Sequence, residues 1–112
     1  MATTVYLDVD QGSDFTTEMT LQNNNGTAMD LTGFSVYSQF RKNYNSTIAY
    51  QFTTAMTNAL QGIITLSLLG TASSNIKPGR YLYDVEIVDI TTRKTRVVEG
   101  IVTINAEITK IP

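Results

Sequence analysis

The sequence predicts an all-β, antiparallel sandwich, and three features carry that expectation. Apolar and polar residues alternate with period two in several short runs, which sends successive side chains to opposite faces of a strand. Clusters of Asn, Gly, Ser, Asp and Thr interrupt these runs about every ten residues, the rhythm of a sandwich. Finally, the runs Gly62–Leu69 and Arg80–Asp89 are joined by a short corner ending Lys77-Pro78-Gly79-Arg80-Tyr81.

Each element can be justified in order. Thr3–Val9 alternates with Val5, Leu7 and Val9 on one face. Gln11-Gly12-Ser13-Asp14 is a turn. Phe15–Gln22 puts Phe15, Thr17, Met19 and Leu21 inward and Thr16, Glu18, Thr20 and Gln22 outward. Asn23–Thr27 is a turn, because Asn and Gly tolerate positive φ. Phe34–Lys42 places Phe34, Val36, Ser38 and Phe40 together, and Asn43–Ser46 turns the chain again. Ile48–Thr53 is a strand with Ile48, Tyr50 and Phe52 in phase, and Thr54–Ala59 reads as a loop or a helical turn. Gly62–Leu69 turns Ile64, Leu66 and Leu68 inward. Gly70–Ile76 has room for one helical turn with Thr71 as its cap. Arg80–Asp89 separates Tyr81, Tyr83, Val85 and Ile87 from Leu82, Asp84, Glu86 and Val88. Ile90–Lys94 is a hairpin loop and Thr95–Asn105 the last long strand, where Gly100 marks a bulge or a close backbone approach. The sum is about seven to eight strands. The corner tyrosine, which bonds back to the corner backbone, points to immunoglobulin-like wiring. One of Tyr81 and Tyr83 fills that role and the other belongs to the core. A single domain of 112 residues results, its core at about residues 4–105 and a C-terminal strand or arm at 106–112.

Composition narrows the function. Charged residues are 16 % of the chain, against roughly 25 % in an ordinary soluble domain. The surface is therefore built from Thr, Ser, Asn and Gln, which pack against another protein with little charge to desolvate. Net charge is −2 and no basic stripe exists, so nucleic-acid binding is not expected. No apolar run of about 18 residues is present, so no membrane-spanning helix is expected. The N-terminal Met1–Val5 lacks the basic and apolar regions of a signal peptide and reads as the start of an intact protein made in the cytoplasm. Cys and His are absent. That excludes disulfides, thiolate catalysis, Cys- or His-ligated zinc and any His-containing triad.

Few residues suggest chemistry. Asp8, Asp10 and Asp14 form the only acidic cluster and supply oxygen ligands of the kind Ca²⁺ takes. The EF-hand register fails, since Gly12 falls one place early and Met19 stands where the closing acid belongs, so the segment reads as a solvated turn. Asp84 and Glu86 share a strand face, and an ion pair across the hairpin to Arg93 or Arg96 explains them better than acid–base catalysis. Asn25-Gly26-Thr27 and Asn45-Ser46-Thr47 match the glycosylation pattern and serve only as markers of surface loops. No catalytic residue, metal site or cofactor is expected.

Several segments in order form a recognisable series: Gln11-Gly12-Ser13-Asp14-Phe15, Asp30-Leu31-Thr32-Gly33, Phe40-Arg41-Lys42, Gly62–Leu68, Pro78–Val85 and Glu99–Ile104. Over about residues 4–109 the series resembles small immunoglobulin-like virion proteins of tailed bacteriophages. It is similar to the N-terminal domain of phage baseplate upper proteins. The resemblance implies a non-enzymatic role on a virion: a multi-copy decoration protein of the capsid, neck or tail, or an adaptor in the baseplate. Its partners would be other phage structural proteins and further copies of itself, and it would reside in the virion after synthesis in the bacterial cytoplasm. The likeness covers one domain only, which favours decoration. A different class, a carbohydrate or host-surface binding module, requires exposed aromatic rings clustered on one face, whereas the tyrosines are scattered in sequence.

Expected contact residues follow. Tyr44, between two asparagines in a turn, is the best anchor, with Tyr50 nearby. The β-prone, weakly charged termini, with Thr3 and Thr4 at one end and Glu107, Ile108 and Ile111 at the other, are expected to add strands to a neighbour.

Overall fold

A computed structural model describes residues 3–109 of the chain. Among these, nine strands form two sheets. They are β1 (Thr3–Thr4), β2 (Leu7–Asp10), β3 (Phe15–Thr20), β4 (Ser35–Arg41), β5 (Tyr50–Gln51), β6 (Thr53–Asn58), β7 (Ile63–Leu68), β8 (Gly79–Val88) and β9 (Lys94–Asn105). One sheet runs β1-β9-β8-β4-β5, with β2 continuing β1 alongside β9; the other runs β3-β7-β6. The all-β sandwich is as expected, and the strand count exceeds the expectation for two local reasons. The expected first strand is split into β1 and β2. The segment read as a loop or helical turn at Thr54–Ala59 is strand β6 through Asn58, paired antiparallel with β7. Its inward residues are the half-buried Thr54 and Met56, too weak an alternation to announce a strand.

The split in the first strand has a specific cause. Thr3 faces Val98 and Leu7 faces Val102, both in parallel register, so no residue is inserted between β1 and β2. The Val5 amide still donates to the Glu99 carbonyl (2.9 Å). The Val5 carbonyl turns inward over Gly100, so close that a Cβ there would lie 2.0 Å from the oxygen. The Tyr83 hydroxyl, opposite Gly100 on β8, donates to that carbonyl at 2.7 Å. The Gly100 expectation thus resolves to close approach. The bulge of this hairpin lies at Val97 instead, where the register shifts between Val85 and Glu86.

Tyr81 is the corner tyrosine, its hydroxyl donating to the Lys77 carbonyl at 2.5 Å. Its ring meets Phe40 edge-on (5.6 Å between centroids) under the ammonium of Lys42. Phe40 is fully buried and also stacks on Tyr50 (5.3 Å) and leans on Phe52 (4.9 Å). This aromatic cluster fixes where the chain changes sheets. Phe52 is buried between β5 and β6, and its amide donates to the Ser38 carbonyl (3.1 Å) as the strand crosses. Ile48, expected in phase with Tyr50 and Phe52, lies 65 % exposed, before the strand begins.

The helical turn is α1, Gly70–Ser73. Thr71 lies within it and does not cap it. The cap comes from Asp14, whose Oδ1 accepts from the Gly70 amide (2.7 Å), a contact across the fold that local sequence could not show. Ser73, fully buried, accepts from the Gly12 amide at 2.9 Å and ties the same corner together.

Gly100→Ala forces its methyl into the Val5 carbonyl and is expected to destabilise the fold by about 1–3 kcal/mol in urea unfolding. Tyr83→Phe leaves the Val5 carbonyl without that donor and should cost about 1–2 kcal/mol. Burial pushes the Tyr83 phenol up to about 12, above its ordinary value of 10. The folded state therefore holds a proton that the unfolded state releases. Tyr83's contribution is intact below about pH 10 and is lost as pH rises toward 12. Unfolding curves collected across that window should show stability falling with pH, less steeply in Tyr83→Phe.

Candidate interaction surfaces

The two outer faces of the sandwich differ in chemistry. On the three-stranded sheet the outward rows are Thr16, Ser67 and Thr53; Glu18, Thr65 and Ala55; and Thr20 and Ile63. The Thr57 and Thr65 hydroxyls hydrogen-bond across it. Glu18 is the one charged side chain in these rows. Among the described residues β3 and β6 each pair only with β7, so both long edges of this sheet have no β partner. β-branched threonines favour the pleated backbone and leave this face hydrated and weakly charged.

On the opposite sheet, side chains gather into an open groove of about 400 Å³. Register alone places them. Gln39 faces Asp84, which faces Glu99, and Arg41 faces Leu82, which faces Ile101. Tyr6 stands at the β9 end, 71 % exposed, and Tyr44 at the β4 end, 76 % exposed. Tyr44 is held by its loop. The Arg41 guanidinium donates to the Ser46 carbonyl (2.8 Å) and to Gln39 Oε1 (3.3 Å), while Asn43 accepts from the Asn45 amide and the Ser46 hydroxyl. Arg96 is the partner of Asp84, at 3.1 Å, as expected of one of the two arginines. It is the one ion pair among the described residues, so Glu86 and Glu99 have none.

The expected contact residues are distributed unevenly. Tyr44 is on the surface and in the groove. Tyr50 is half-buried and gives its ring to Phe40 and Tyr81. Thr3 and Thr4 expose their side chains, but their backbone is already paired with β9. Among the described residues the N-terminal segment pairs with β9 on one side only and forms an edge of its sheet. Glu107 is half-buried, its amide donating to Gln11 Oε1 (3.1 Å) and its carboxylate lying against Gly12. Ile108 is 95 % exposed. Ala106–Thr109 form no strand, and Ile111 lies outside the described residues. Tyr6 and Tyr37 were missed. The signal was present, since each falls out of phase with its strand's inward residues. Asp8, Asp10 and Asp14 diverge: Asp10 accepts from Asn105 (3.3 Å) and Asp14 from Gly70. No group of three or more metal-ligating side chains forms among the described residues. None of the helices among the described residues is long and apolar enough to cross a membrane.

No family model matches the chain, and no curated protein matches it in sequence. Among solved structures, an internalin-like protein of Listeria monocytogenes is similar at 18 % identity and a TM-score of 0.44, over 95 % of this chain and 28 % of that one. A family 123 glycoside hydrolase from Clostridium perfringens is similar at 12 % identity and a TM-score of 0.45, over 98 % of this chain and 24 % of that one. The chain thus spans about a quarter of each, and at these values neither likeness carries an argument about activity.

The distinction between surface and core tyrosines is measurable. Tyr6→Ala and Tyr44→Ala should each change unfolding free energy by no more than about 0.5 kcal/mol. Tyr50→Ala should cost about 2 kcal/mol or more, because it empties space beside Phe40.

Proposed function

We propose that this chain is a non-enzymatic structural protein of a bacteriophage particle, attached in many copies as an accessory or decoration protein on the capsid, neck or tail. The observation that carries this reading is the outer face of the three-stranded sheet. It is threonine-rich, has one carboxylate in its rows, and borders the unpaired edges of β3 and β6. Seating such a face on a protein desolvates little charge, and an open edge offers main-chain hydrogen bonds to a neighbouring strand. The sequence resemblance supplies the virion context. Each contact is modest, and repetition over a lattice or ring multiplies it. An adaptor role in the baseplate would use the same face and differ in copy number.

The test is quantitative mass spectrometry of purified particles of the phage that encodes the chain. The wild-type protein should be present in many copies. Ala55→Glu and Thr65→Glu, which add carboxylates to the contact beside Glu18, should lower its occupancy several-fold while leaving the fold intact. Tyr44→Ala, on the opposite sheet, should not. Absence of the wild-type protein from particles overturns the proposal.

A further inference from the structure

We propose that the groove on the six-stranded sheet is a binding site for a neutral oligosaccharide. This goes beyond the attachment role and does not depend on it, because the groove lies on the face opposite the threonine-rich one. Three observations converge on the ligand class. First, the volume of about 400 Å³ falls within the range of small-molecule sites, roughly 300–1,000 Å³. The floor from β9 to β4 spans two strand spacings, about 10 Å, which suits an extended chain of sugars better than one ring.

Second, the lining matches both surfaces of a sugar. Tyr6 and Tyr44 offer flat rings with polar tips at the two ends, and Leu82 and Ile101 form an apolar floor. Between them Gln39, Asp84 and Glu99 form a row of side-chain hydrogen-bonding groups that hydroxyls can meet as donors or acceptors. An acyl chain would leave this row unsatisfied. An extended peptide would find little main-chain pairing, because the backbones of β9, β8 and β4 beneath the groove are committed to their ladders.

Third, the charge balance selects among sugars. Arg96 is paired with Asp84, while Arg41 bonds the neutral Ser46 carbonyl and Gln39 side chain and keeps its charge, so the lining holds three carboxylates against two guanidiniums, an excess of one negative charge. Glu86 and Glu99 have no ion-pair partner among the described residues. Free carboxylates accept strongly from neutral hydroxyls and repel uronic or sialic acids.

The experiment presents the full chain to an immobilised panel of neutral and anionic oligosaccharides, then follows any bound glycan by titration calorimetry and amide chemical shifts. The expected result is binding of at least one neutral glycan, with shifts confined to residues 4–6, β8, β9, β4 and the 43–46 loop. Tyr6→Ala and Tyr44→Ala should each weaken that binding about tenfold. Tyr44→Phe, which keeps the ring, and Thr57→Ala, on the other face, should not. Both alanine variants are at exposed positions, and their amide spectra establish that they fold. No neutral glycan bound, binding of anionic glycans only, or binding insensitive to both tyrosine substitutions overturns the proposal.

Discussion

The inward turn of one carbonyl organises this molecule. Val5 directs its oxygen into the sheet, a glycine at position 100 leaves room for it, and the Tyr83 hydroxyl answers it. A buried carbonyl without a donor would cost about 1–3 kcal/mol, so the three residues must occur together. The junction holds both halves of the first strand on β9. Tyr6, the next residue, stands outward at the end of the groove.

The sandwich presents two outer faces of different chemistry. A face of threonines excludes water at low electrostatic cost but offers little shape to recognise. A groove crossing the strands, with rings at its ends and hydrogen-bonding side chains along it, offers shape and polarity to a small ligand. The aromatic cluster around Phe40 keeps the two independent, because it fills the space between the sheets and ties the β5–β6 crossover to the Tyr81 corner. A protein seated through the first face would leave the second exposed.

Much of the fold was legible in the sequence because alternation and turn chemistry are local. The inward sets of β3, β4, β7 and β8 could be read directly, as could the tyrosine corner. The missed parts are those set by distant contacts. Strand β6 alternates weakly because it is an edge strand with few buried residues. The α1 cap comes from Asp14, 56 residues away, so Thr71 was the best local candidate. The split at Val5 needs Gly100 and Tyr83 to be seen side by side. The groove was illegible for the same reason. Tyr6, Tyr37 and Tyr44 are scattered in the chain, and only the register of four strands and one loop brings them to one face. Tyr50, close to Tyr44 in sequence, points instead into the core.

Cryo-electron microscopy of the particle is the measurement that bears most directly on this account. The account predicts density at repeated positions, with Thr16, Ala55 and Thr65 covered by a neighbouring protein and the Tyr6–Tyr44 groove facing solvent. Density in the reverse orientation, with the groove buried and the three-stranded face exposed, would contradict it, as would the absence of the protein from the particle.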